Sequence, residues 1–163
     1  MNRQRRGYAL TMAAILFAWG GDAYGKKLEH SDVYGWSVDA YGSDVGAFLG
    51  CNASTRQNGY LLGFLIDPGY NLELSLHSAA WPLREGEVYR IQYVVDDLPP
   101  VAISGSGSGQ RNLFAPLTKV QLDAFLRGRQ VTLKVVSETI TFSLSGVTKA
   151  MVATLDCANR WAP

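Results

Sequence analysis

The chain has 163 residues, with 15 Lys and Arg against 14 Asp and Glu, two His and two Cys. Near-neutral charge with no basic run argues against nucleic acid, where clustered Lys and Arg supply most of the affinity, and equally against a polybasic membrane patch. Almost half of the residues are hydrophobic, so one domain of this length buries a real core without needing a metal to hold it.

Residues 1–25 read as an export signal. Asn2-Arg3-Gln4-Arg5-Arg6 is a basic opening, Tyr8 to Trp19 is uncharged and mostly apolar, and Ala23-Tyr24-Gly25 puts small residues where a signal peptidase needs them. Cleavage is expected after Gly25. A membrane-spanning helix needs about 20 consecutive apolar residues, and Gly20-Gly21-Asp22 interrupts the run first. Arg3, Arg5, Arg6 and Asp22 leave with the signal, so the remaining 138 residues carry a formal charge of −1.

Residues 26–33 are polar and aperiodic and are expected as a flexible tail, with residues 34–163 as one β-rich domain. From Tyr34 the chain alternates large apolar residues (Tyr34, Trp36, Val38) with small or polar ones, the two-residue period of a strand with one buried face. The same rhythm predicts strands at 47–53, 60–67, 71–77, 88–96, 100–104, 112–115, 130–137 and 139–145. Turn signals such as Gln57-Asn58-Gly59 and Asp67-Pro68-Gly69 separate them. Ile103 to Gly109, rich in Ser and Gly, is expected as a mobile loop or a glycine-softened strand. Two stretches break the rhythm. Thr118 with Gln121 three residues later forms a capping box before Leu122, Phe125 and Leu126, and Gly128 is placed to end that helix. After Ser145, Val147, Met151 and Leu155 form an apolar stripe at helical spacing, with Cys157 in the last turn. The fold class expected is mainly β, a two-sheet sandwich or closed barrel with one or two packed helices.

An exported chain meets oxidising conditions, and two cysteines allow one intramolecular pairing, so Cys51 and Cys157 are expected to join and tie the C-terminal helix to an early strand. Little else suggests chemistry. The run Gly105, Gly107, Gly109 lacks the spacing and following helix of a phosphate loop. His30 and His77 are too few and too far apart for a metal set. Serines and carboxylates, including Glu73, Glu85, Glu87 and Glu138, show no constrained arrangement for hydrolysis. Asn52-Ala53-Ser54 spells a glycosylation sequon that continues the cysteine's strand. The expectation is a protein that is not an enzyme and has no cofactor.

What remains is a binding surface, for which Trp36, Tyr60, Trp81, Arg84, Tyr89, Arg90, Ser106 and Arg111 are the candidates, because Trp and Tyr join large contact area to one polar atom. Trp36 and Trp81 have a competing use as core residues. The leading functional expectation is a periplasmic or secreted binding protein that engages another protein at the cell envelope or a host surface, through an exposed edge strand or the Ser/Gly-rich segment. The alternatives are a carrier of a small apolar ligand inside a barrel and an inhibitor of a periplasmic hydrolase. Oligomeric state is not legible.

Val131 to Val136, then Ile140-Thr141-Phe142-Ser143-Leu144-Ser145-Gly146, then a helix over 148–155, resembles the closing strand, turn and helix of the invasion-associated locus B protein family. Gly35-Trp36-Ser37-Val38 and Cys51 fit the same pattern. Trp36, Cys51, Trp81-Pro82-Leu83 and Leu155-Asp156-Cys157 together are similar to small exported β-rich proteins of alphaproteobacteria. The resemblance implies an exported bacterial β-sandwich linked to host-cell invasion and without enzymatic activity. The section from Tyr60 to Leu113 does not follow the family.

Overall fold

The computed structural model describes residues 26–161, so the expected export signal lies outside the described residues. Ten strands, β1 (Lys26–Val33), β2 (Trp36–Gly42), β3 (Phe48–Gln57), β4 (Tyr60–Ile66), β5 (Leu72–Ser78), β6 (Val88–Val95), β7 (Val101–Ser108), β8 (Asn112–Pro116), β9 (Gln130–Val135) and β10 (Glu138–Ser143), are joined by two helices, α1 (Lys119–Arg127) and α2 (Val147–Trp161). All neighbours are antiparallel, in the order β1-β2-β3-β4-β5-β8-β7-β6-β9-β10.

The mainly-β expectation therefore holds, but the closed barrel does not: the strands form one open sheet that ends at β1 and β10. Its two halves are joined by the β5–β8 pairing and face each other across a filled interior. Phe125 of α1 stands edge-on to Phe64 of β4 at 5.3 Å between ring centroids and 4.9 Å from Tyr93 of β6, and Trp36 of β2 stacks on Phe64 at 5.9 Å. Aromatic side chains thus occupy the space that a ligand carrier would have to keep hollow.

Residues 26–33 are not a tail. They form β1, paired with β2 from Lys26↔Gly42 to Val33↔Trp36. Their polarity reflects an edge strand, where charged side chains discourage pairing with other chains. The turn between them places Tyr34 and Gly35 at φ 50° and 83°, the left-handed pair that a two-residue hairpin requires. The Ser/Gly-rich segment is likewise strand, the second half of β7. A Cβ at Gly107 would run into the backbone oxygen of Arg84, so this glycine admits the incoming 79–87 loop, and one at Gly105 would run into the Phe114 carbonyl of the neighbouring strand.

Both helices follow their sequence signals with two corrections. The Thr118 capping box is formed in both directions. Gly128 does cap α1, but in extended backbone rather than the left-handed form, and its small size serves close packing against Val95 and Leu144. In α2 the buried stripe is Val147, Ala150, Met151, Thr154, Cys157 and Ala158, while Leu155 is 45% exposed. Position 155 lies off the stripe because the face that meets the sheet follows the spacing 147-150-151-154-158. Cys51 and Cys157 are joined, with Cα atoms 6.1 Å apart, and α2 lies on β2 and β3.

Candidate binding face

Register fixes which side chains share a side of the sheet, because cross-strand partners point the same way. The inner side carries Val38, Ala53, Phe64, Leu74 and Ala115 in one row, and both helices pack there, α1 through Phe125 and α2 through Cys157. The outer side carries two adjacent rows, Asp39-Asn52-Leu65-Glu73 and Ser37-Ser54-Gly63-Ser75-Phe114.

On this outer side the two halves of the sheet differ in chemistry. Over β6, β9 and β10 it shows Arg90, Lys134, Thr139 and Thr141, all exposed. Over β3, β4 and β5 it shows Leu61, Leu65, Asn52, Ser54 and Ser75, all buried. β4 reads Leu61-Leu62-Gly63-Phe64-Leu65-Ile66 without alternation, the pattern of a strand covered on both faces. At the centre a Cβ on Gly63 would meet the Ser75 hydroxyl and Asn52 Oδ1, so the missing side chain leaves a notch into which both polar groups lean. Neither the Asn52 carboxamide nor the Ser75 hydroxyl has a hydrogen-bond partner.

Charged groups rim this neutral centre. Asp39, itself buried, lies 2.8 Å from Lys27 Nζ and 2.6 Å from His30 Nδ1, and it accepts a hydrogen bond from the Tyr41 hydroxyl at 3.3 Å. Burial, and then the Asp39 charge, push the Tyr41 phenol well above its ordinary range. Burial, with Asp67 adding to it, raises the Glu73 carboxyl. His30, read from sequence as part of a tail, is therefore a strand residue bonded to a carboxylate.

The sequence-derived candidates do not converge. Trp36 is a core residue, 2% exposed, whose indole N–H donates to the Ser145 carbonyl at 2.8 Å. Trp81 is buried and donates to Glu138 at 2.6 Å, and Tyr60 stands at 6.2 Å from the Trp81 ring. The Tyr60 phenol also bonds Glu138, and that bond raises it. Glu138 sits on the inner side, where it clips the 79–87 loop to β10. Arg84 and Tyr89 form a local cluster with Glu87, in which the Tyr89 hydroxyl accepts from the Arg84 backbone N–H at 3.0 Å and donates to Glu87 at 3.0 Å. Arg90 and Ser106 do share the outer side. Arg111 lies in the β7–β8 turn, where its carbonyl accepts from the Ser78 N–H. Sequence reasoning missed the outer face of β3–β5. The signal for it was the unalternating run in β4.

Among the described residues no three His, Cys, Asp or Glu side chains converge on one point, and no helix is long and apolar enough to cross a membrane. No family model and no curated protein matches the chain. Among solved structures the chain is similar to invasion associated protein B from Bartonella henselae, with a TM-score of 0.58 over 80% of this chain and 99% of that one, at 10% identity. That likeness is one of fold.

Proposed function

We propose that the chain is a non-catalytic exported binding protein that engages another protein through the outer face of β3, β4 and β5. The carrying observation is the composition of that face: Leu61 and Leu65 flank Gly63 on a strand that is apolar on both sides, while the helices cover only one side. Leucines on a sheet face that neither helix covers, set among neutral polar groups, are what a protein partner of matching shape packs against. Asn52 and Ser75 add specificity, since unpaired polar groups reward a partner that supplies their hydrogen bonds. The Cys51–Cys157 bond supports a site of action outside the cytoplasm. The fold shared with an invasion associated protein supports a role at the envelope or a host surface. Inhibition of a hydrolase is one form such binding would take.

The test uses residues 26–163, which hold every described strand, both helices and the disulfide. The parent, a Leu61→Lys/Leu65→Lys variant and an Arg90→Glu/Lys134→Glu control are immobilised and exposed to envelope and host-surface proteins, with retained proteins quantified by mass spectrometry. The expected result is a protein retained by parent and control and depleted at least ten-fold by the leucine variant, with the disulfide intact in all three. Equal retention by all three refutes the assignment of the face.

A further inference from the structure

The open sheet ends at two edges, and the sequence protects only one of them. β1 carries Lys26, Lys27, Glu29, His30 and Asp32, breaks register between Lys27 and Glu29, and has Arg160 and Trp161 of α2 bonded to Glu29. Charge, irregular register and a covering element are the devices that keep an edge strand from pairing with another chain. Along Thr139-Ile140-Thr141-Phe142-Ser143, β10 has no charge, and its register with β9 is unbroken.

Backbone hydrogen bonds define how much of that edge is open. The two-residue turn Val136-Ser137 makes Val135↔Glu138 a hydrogen-bonded pair, so residues 138, 140 and 142 bond β9, while residues 139, 141 and 143 point their N–H and C=O groups outward. Ser143 bears out that parity, because its N–H and C=O are the groups that the Gln57 carboxamide bonds, at 3.0 and 3.3 Å. Thr139 and Thr141 remain. Among the described residues nothing bonds their outward backbone groups, and both residues are exposed.

By filling the place beside Ser143, Gln57 limits the free edge to Thr139 and Thr141, and that length selects an occupant. An antiparallel copy of β10 fills both positions at once in the register that sets Ile140 opposite Ile140. We propose that β10 pairs in this way with β10 of a second copy of the chain, across a twofold axis at Ile140, so that two open sheets become one. Thr139 of each copy then exchanges two backbone hydrogen bonds with Thr141 of the other, and Thr faces Thr on the outer side, a favourable cross-strand pair. No like charges oppose the contact. Lys134, beside Thr139 on β9, stands about 14 Å across and about 7 Å along the sheet from Lys134 of the second copy, which is roughly twice the Debye length of about 8 Å. A contact this small belongs to the weak and transient class. It uses neither Leu61 nor Leu65, so the pair presents two copies of the candidate face and gains from multivalency, while the pairing itself stands independently of that face.

Sedimentation equilibrium of the folded chain, with its disulfide formed and at concentrations up to about 1 mM, tests it. Parent and Thr141→Val are expected to dimerise, since valine keeps the backbone groups. Thr141→Pro removes one outward N–H from each copy and leaves the β9 ladder intact, because proline is tolerated where the N–H of an edge strand faces outward. It should raise the dimer dissociation constant about ten-fold or more. Thr139→Lys/Thr141→Lys keeps every N–H but sets lysines opposite each other, so the same loss is expected, partly restored in about 1 M salt; this variant carries the test if proline hinders folding. A parent that stays monomeric throughout, or either variant associating as tightly as the parent with its disulfide intact, overturns the proposal. So does a loss in Thr141→Val as large as that in Thr141→Pro, because the contact would then run through the side chain rather than the backbone.

Discussion

Loss of the Cys51–Cys157 bond tests how the two ends of the chain are held. The bond closes a loop of 106 positions, from the inner side of β3 to the buried stripe of α2. For a loop on the order of 100 residues the chain-entropy model gives about 4.7 kcal/mol, while removal of native disulfides commonly costs as little as about 2 kcal/mol. Unfolding entropy of about 2.1 cal/mol/K per residue converts that range into a fall in Tm of about 7–16 °C for a domain of this length. The measurement is thermal and urea unfolding of oxidised parent, reduced parent and Cys51→Ala/Cys157→Ala. Reduced parent and double variant should both fall because both lose the crosslink, the variant somewhat further because it also loses the buried sulfur atoms. Their urea m values should rise, since an uncrosslinked unfolded chain exposes more surface. A fall below about 3 °C in both would refute the reasoning and show that packing of α2 on β2 and β3 suffices by itself.

Three further predictions concern other parts of the fold. The Gln57 side chain donates to the Ser143 carbonyl and accepts from the Ser143 N–H, a substitute for strand pairing at the outer edge of β10; Gln57→Ala should lower stability by about 1 kcal/mol, and Gln57→Glu by more because a carboxylate cannot donate, both read from the urea midpoint. Val136 holds φ 58°, in the left-handed region that disfavours a β-branched residue; Val136→Asn should raise stability by about 1 kcal/mol, and an unchanged melting curve would exclude strain there. The raised Glu73 carboxyl makes the native state hold its proton more tightly than the unfolded chain. That contribution is complete at pH below the unfolded carboxylate range and is lost as pH rises through the folded value, leaving a partly buried charge. In the full chain Glu73→Gln should therefore match the parent near pH 3 and exceed it near pH 7.5, whereas a pH-independent difference in urea midpoints would contradict the assignment.

Most of the local structure was legible in the sequence. Two-residue alternation, and for the unalternating β4 an apolar run bracketed by turn signals, located β2 to β10, Thr118 and Gln121 located the start of α1, and the two cysteines gave the one long-range tie. Each of these is a short-range signal or, for the disulfide, a choice with one outcome. The errors came where short-range signals are ambiguous. β1 looked like a tail because an edge strand is charged by design, and its pairing with β2 is visible only once the hairpin at Tyr34-Gly35 is formed. Leu155 looked like core because a three-position stripe does not fix the direction of the helix face that meets the sheet.

The candidate binding face was the least legible part. Composition drew attention to Trp36, Trp81 and the arginines, but burial depends on which strands stand beside each other, and the two tryptophans went to the interior. Residues drawn from three strands (Asn52, Gly63 and Ser75) become neighbours only through the β3–β4–β5 register. By itself the sequence determined strand content, helix caps and the covalent tie, because those depend on neighbours along the chain and on residue identity. Only the tertiary structure decided that the sheet stays open, that its interior is filled by aromatic rings, and that one outer half is buried while the other is exposed, because those properties belong to pairs of residues far apart in sequence.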